Sequence, residues 1–318
     1  MFAFLSRAVA RLGDISATGA TSVADTRTHC TRGPYVWDTS KHLEGIGSTF
    51  QHRKQSLIMA DAVRAPWIGT LENSHDPEPR QNYAEWFGLG DKDCNETMLL
   101  QYQQRSLMDV VDASSLYRHQ AFSIQHMCAN NVRPDEYRKK FGLGPNTVIK
   151  VDEHHLHEDW NYCVFNQRFR ERFHHNKPHK PPQEFWISVH FRWGDVATHD
   201  VERPNVRAYQ GLTTLANKVA KYMTDRPQAR VFFFSEGHKS AFQTFLNIVP
   251  MANVRLNGSW KESLYTMAQS DVLIGGTSSF FVVGAHLCHR CIVSTNIRQI
   301  KFRQHHVESA DNHITLNS

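Results

Sequence analysis

Ile187-Ser188-Val189-His190-Phe191-Arg192-Trp193-Gly194-Asp195 is the stretch on which the reading of the fold turns. Its first half is an apolar β-rich run and its second half is polar and contains glycine. That is the pattern of a buried strand ending in a presented set of functional groups. Short apolar runs alternate with helical segments all around it. The pattern predicts strands over 185–191, 230–235, 253–256, 271–274 and 291–295, and helices over 206–223, 238–247, 259–269 and 278–287. The helix over 259–269 opens with Ser259 and carries Glu262 three residues on, a capping box that satisfies the first free N–H groups. Such a βα series predicts an α/β domain with a doubly wound parallel sheet, in which ligands sit beyond the strand C-termini.

Upstream the pattern is less regular. A helix is predicted over 49–64, behind the loop Gly45-Ile46-Gly47-Ser48, and a strand over 67–71. Residues 73–80, with His75, Asp76, Pro77 and Pro79, read as a loop, and 152–175 as a long amphipathic helix with Trp160, Val164 and Phe165 on one side. Asn176-Lys177-Pro178-His179-Lys180-Pro181-Pro182 then stops the helix and stiffens the chain. An interdomain linker is expected there, dividing a domain over 1–178 from one over 179–318.

A chain of 318 residues that is 40% hydrophobic can bury two cores of ordinary size. The apolar stretch 272–287 is interrupted by Thr277, Ser278, Ser279 and His286, so no membrane span is expected. The balance of 36 basic against 31 acidic residues gives a net +5 without basic runs, which argues against a nucleic-acid partner. A local pocket for a phosphorylated small molecule remains compatible with it. The 6 cysteines are too sparse for a disulfide scaffold. The sequons at Asn95 and Asn257 are short enough to arise by chance. Arg7 and Arg11 interrupt the apolar start and leave no signal-peptide core. The expected location is therefore cytoplasmic, or the secretory pathway and Golgi if the natural N-terminus is missing.

Arg192 offers a planar fork of donors suited to a diphosphate, Gly194 lets backbone approach a ligand, and Asp195 can orient a polar neighbour. An arginine and an aspartate after a strand also arise as a structural ion pair, and that alternative stands beside the functional one. Glu153-His154-His155-Leu156-His157-Glu158-Asp159 matches no metalloprotease order and reads as a solvated helix face, with a metal-dependent hydrolase as the rival function. Cys288-His289-Arg290-Cys291 lacks a second pair and reads as buried thiols.

His190-x-Arg192-x-Gly194-Asp195 resembles the first motif of the fucosyltransferases that share an H-x-R-x-G-D type signature, which include α1,2-, α1,6- and protein O-fucosyltransferases. Phe232-Phe233-Phe234-Ser235-Glu236 is similar to their second motif. Ser270-Asp271-Val272-Leu273-Ile274-Gly275-Gly276-Thr277-Ser278-Ser279-Phe280 is similar to the third. In the first half only Gly45, Gly47 and Ser48 ahead of a helix match, and Trp193 departs from the arginine common at its position. The resemblance implies a GT-B fold, two Rossmann-like domains facing across a cleft, with GDP-fucose as donor substrate on the second domain and a glycan or glycosylated acceptor on the first. It implies an inverting fucosyltransferase that needs neither cofactor nor metal. Arg192 and the N–H groups of Thr277, Ser278 and Ser279 would then hold the diphosphate, with Phe280 beside them in the substrate site. Glu236, beside Ser235, would pair with the guanine edge. His190, Gly194 and Asp195 would complete the donor site, with Gly45, Gly47 and Ser48 facing it. Asp200 falls where α1,6-type relatives keep a catalytic glutamate, though Asp195 and Glu202 are equally available as the base. The alternative is a non-catalytic GDP-sugar or glycan-binding protein of the same fold.

Overall fold

The computed structural model describes residues 33–39, 45–74, 81–89, 94–104, 108–113, 116, 134–152, 165–175, 177–193, 211–276, 278–288, 291–295, 307–309 and 312–313. In chain order the first half contains β1 (Tyr35–Asp38), α1 (Ile46–Ala62), β2 (Trp67–Ile68), α2 (Glu96–Gln104), β3 (Asp109–Asp112), α3 (Pro134–Lys140), β4 (Thr147–Val151) and α4 (Phe165–His175). The second half contains β5 (Trp186–His190), α5 (Leu212–Asp225), β6 (Arg230–Ser235), a 3₁₀ turn (Lys239–Phe242), α6 (Gln243–Ile248) and β7 (Asn253–Leu256). It continues with α7 (Trp260–Ala268), β8 (Val272–Gly275), α8 (Ser279–Leu287), β9 (Ile292–Thr295), β10 (Val307–Ser309) and β11 (Asn312–His313).

The strands form two sheets, in the orders β2-β1-β4-β3 and β11-β10-β9-β8-β5-β6-β7. All described pairings are parallel except β10 with β11. From β5 the chain winds outward through β6 and β7, then returns to the other side of β5 as β8 and continues to β9. The order therefore reverses between β5 and β8. In the first sheet the corresponding junction lies between β1 and β4. This is the α/β architecture with two Rossmann-like parallel sheets expected from the sequence.

Alternation along the strands decides which layer each face meets. Ile187 and Val189 on β5, Val231 and Phe233 on β6, and Val272 and Ile274 on β8 join one buried cluster with Leu215, Ala216 and Val219 of α5. Phe232, Phe234 and Leu273 point the other way, into a cluster that also holds Val36 of β1, Ile149 of β4 and side chains from α1, α4, α7 and α8. One core is thus continuous between the two sheets, with helices from both halves packed inside it.

At one point of that core the two halves meet backbone to backbone. A Cβ added at Gly47 would stand 2.5 Å from the nitrogen of Phe280 and 2.7 Å from its Cα. The sequence pattern put Gly45 to Ser48 in a loop; instead α1 begins at Ile46. Gly45 accepts from the N–H groups of Ser48 at 2.9 Å and Thr49 at 3.0 Å, and Asn73, read as loop, accepts from Ile46 N–H at 3.2 Å. Glycine is needed there for proximity and not for a turn. Two further expectations are corrected. The helix over 238–247 is split into the 3₁₀ turn and α6, and Cys288 and Cys291, read as thiols, are joined as a disulfide. Most of the helix expected over 152–175 lies outside the described residues, as does the His154 to Asp159 cluster.

Helix propensity alone favours alanine over glycine at position 47 by about 1 kcal/mol. Overpacking against backbone opposes it, typically by about 1 to 3 kcal/mol. Gly47→Ala is expected to lower stability in urea unfolding, whereas Gly258→Ala, with nothing within 4 Å of the added Cβ, is expected to stay near wild type. A stabilised Gly47→Ala protein would contradict the contact.

Candidate active site at the edge of the second sheet

His190 ends β5, and its register partners are Phe234 on β6 and Gly275 on β8. It therefore stands at the carboxyl edge where the winding reverses, the position at which open α/β sheets bind ligands. Gly275 is required beside it because an added Cβ would collide with the ring of Phe281 in the first turn of α8. That packing draws the start of α8 against the strand edge. The His190 ring lies 5.4 Å from Phe280 and 6.5 Å from Phe281, so the imidazole and the positive end of a helix are neighbours.

His190 is only 9% exposed, and its Nδ1 has no hydrogen-bond partner. Burial, with a smaller contribution from the nearby Arg192 cation, pushes its pKa down from 6.5 to about 4. The ring is neutral at physiological pH and keeps a nitrogen available to a ligand. Arg192 is half-buried one residue beyond the buried Phe191.

Ser235 ties the end of β6 to the same edge, its hydroxyl donating to the Phe191 carbonyl at 2.7 Å while Phe191 N–H donates to Phe234 O at 3.0 Å. Glu236, next in sequence, is exposed. Ser278 is buried at the N-cap position of α8 in an extended conformation and makes no side-chain cap bond. Ser279 and Phe280 open the helix, and Gly47 abuts them across the two halves. Gly45, Gly47, Ser48, His190, Arg192, Ser235, Glu236, Ser278, Ser279 and Phe280 are thus described. His190, Ser278, Ser279, Phe280 and Gly47 are gathered at one edge. Gly194, Asp195, Asp200, Glu202 and Thr277 lie outside the described residues. Among the described residues no group of three or more His, Cys, Asp or Glu could hold a metal ion, and no helix is long and apolar enough to cross a membrane.

On the first sheet, Asp38 ends β1 at the opposing carboxyl edge and pairs with Arg53 of α1 at 3.3 Å, with side chains 1% and 3% exposed. Ser56 donates to Asp38, Trp67 Nε1 donates to Ser56 at 2.8 Å, and Arg53 Nε donates to Thr70 O at 3.1 Å. Sequence reasoning missed this network. The i, i+3 pair Arg53 and Ser56 on one face of α1 was its only local signal.

No protein-family model matches the chain, and no curated protein matches it. Among solved structures it is similar to POFUT1 in complex with GDP-fucose, at 10% identity over 81% of this chain and 94% of that one, with a TM-score of 0.44. It is similar to POFUT1 in complex with GDP at 11% identity, over 81% and 94% of the chains, with a TM-score of 0.45. It is also similar to the E. coli heptosyltransferase WaaC with ADP-2-deoxy-2-fluoro heptose at 11% identity, over 86% and 92%, with a TM-score of 0.36.

The depressed pKa of His190 sets a pH dependence of stability. The unfolded chain binds a proton there below about 6.5 while the folded chain stays neutral down to about 4. Stability from this group is therefore complete above that range and is lost as pH falls through it. Between pH 7 and 4.5 the loss amounts to about 2 to 3 kcal/mol at 1.36 kcal/mol per unit. Urea unfolding at both pH values should show a smaller drop for His190→Phe than for wild type by about that amount; equal drops would contradict the buried neutral ring.

Proposed function

We propose that the chain is an inverting glycosyltransferase that moves fucose from GDP-fucose to a glycan or glycosylated acceptor. In this reading residues 179–318 bind the donor, 1–178 face the acceptor, and no metal is required. The observation that carries the reading is the coincidence at one point of the second sheet. There the buried His190 with its unpartnered Nδ1, the adjacent Arg192 and the start of α8 all meet the edge where the winding reverses. A departing nucleoside diphosphate gains negative charge as the sugar bond breaks. A fixed guanidinium and the N–H groups opening a helix stabilise that charge without reorganising. His190, neutral, offers a hydrogen bond and no charge, which suits a sugar hydroxyl or a phosphate oxygen already served by Arg192. Glu236, exposed at the end of β6, has two acceptor oxygens for the N–H groups of guanine.

Donor recognition is tested by calorimetry. Arg192→Lys replaces a bidentate fork with a point charge and should cost roughly 1.5 to 3 kcal/mol of GDP affinity. Glu236→Ala should weaken GDP more than UDP. Unchanged GDP affinity in Arg192→Lys removes that residue from the site, and equal losses for both nucleotides give Glu236 a structural role. Turnover should persist in EDTA; full inactivation rescued by Mn²⁺ would count against a metal-free route.

Acceptor activation is assigned to Asp200. Asp200→Asn keeps size and removes basicity, so kcat should fall by about 10²- to 10⁴-fold while GDP affinity is kept. With Asp195→Asn and Glu202→Gln as comparisons, near-full turnover in Asp200→Asn would move the base elsewhere.

A further inference from the structure

We infer that Trp193 is the platform on which the nucleotide base stacks, so that this chain takes a purine by its flat face as well as by its edge. The inference rests on the nucleoside-diphosphate reading of the same edge and concerns which group there holds the base. Trp193 directly follows Arg192.

The indole is held by two rings and a glycine. It lies nearly parallel to Phe191, centroids 5.9 Å apart at 26°, and meets Phe242 edge-on at 6.1 Å and 75°. Gly237 closes in from β6, so near that an added Cβ would stand 2.9 Å from the indole Cδ1 and 3.4 Å from Nε1. Gly237 has a φ of +100°, available to glycine. It is fixed by Asn257, whose Oδ1 accepts from Gly237 N–H at 2.9 Å and whose Nδ2 donates to Gly237 O at 3.1 Å. Asn257 itself holds a φ of 52° and donates its own N–H to Ser235 O at 3.1 Å. A left-handed asparagine and a left-handed glycine thus lock one another against the indole, the kind of backbone cost that collects at binding sites.

The indole packs against the hydrophobic cluster of the second sheet without being enclosed by it. Phe191 is 5% exposed and Phe242 fully buried, while the indole beside them remains part-exposed. The indole is part-exposed at the carboxyl edge, and Glu236, exposed, immediately precedes the glycine that touches it. A part-exposed indole and a carboxylate one residue from the glycine against it are the chemistry that recognises a guanine base: stacking on the ring and acceptor oxygens for its N–H edge. Arg192 on the adjacent residue then falls to the phosphates.

The test uses calorimetry on the full chain with GDP, ADP and inorganic pyrophosphate, comparing wild type, Trp193→Leu and Trp193→Phe. Trp193→Leu should weaken GDP about tenfold or more and Trp193→Phe less than about threefold, because phenylalanine keeps a stacking face. Pyrophosphate, which has no base, should bind all three alike. GDP should quench tryptophan fluorescence in wild type, and that part of the quenching should vanish in Trp193→Phe. Unchanged GDP affinity in Trp193→Leu, parallel losses of GDP and pyrophosphate, or quenching retained in Trp193→Phe each overturn the stacking. Should Trp193→Leu misfold, Trp193→Phe and its quenching still decide. ADP separates this inference from the guanine reading. ADP bound as tightly as GDP and dependent on Trp193 sinks the guanine reading and keeps the platform, whereas no binding of either nucleotide to wild type sinks both.

Discussion

The approach of the start of α1 to the start of α8, with Gly47 against the backbone of Phe280, is the constraint from which the rest of the arrangement follows. Each helix follows a central strand of its own sheet, so bringing their N-termini together brings together the two carboxyl edges. The continuous core between the sheets holds that approach. Replacing glycine with any side chain would part the helices and, with them, the edge at His190 from the edge at Asp38. Function at the junction is therefore coupled to packing, and the helix termini stay near one another because backbone meets backbone with nothing between.

The treatment of buried polar groups differs across the molecule. Asp38 has Arg53 and Ser56, and both ring nitrogens of His174 are engaged, by the Leu287 carbonyl at 2.9 Å and Gln269 at 3.0 Å. Ser188 receives the Ser270 hydroxyl at 2.6 Å. These networks fix helices against sheets. A buried polar atom without a partner costs about 1 to 3 kcal/mol, which selection tolerates where a ligand supplies the missing bond. His190, at the reversal of the winding, is where the proposed donor would supply it.

The second sheet was legible because most of its strands are short apolar runs set in a regular alternation with helices. The predicted 230–235 and 253–256 coincide with β6 and β7, and the Ser259 cap of α7 accepts from Glu262 N–H as its capping box implied. Of the first sheet only the strand expected over 67–71 was read, and it is shorter, β2 over Trp67–Ile68; β1 and β4, four and five residues long, were missed because no regular βα series surrounds them. Gly47 and Asn73 misled for a physical reason, since glycine and asparagine announce loops locally, whereas here one is chosen by a distant backbone and the other caps a helix 27 residues away. The motifs His190-x-Arg192 and Ser278-Ser279-Phe280 were visible as residues. Their meeting depends on β8 pairing beside β5, a long-range fact that no local pattern contains.

The central claim is that a nucleoside diphosphate binds at the carboxyl edge of the second sheet, between β5, β6 and the start of α8. Amide hydrogen exchange with and without GDP measures this directly. The account predicts slowed exchange in peptides covering 187–193, 232–237 and 278–283, with the edge strands β3 and β7 unchanged. Protection confined to the first sheet, or none at saturating GDP, would contradict it.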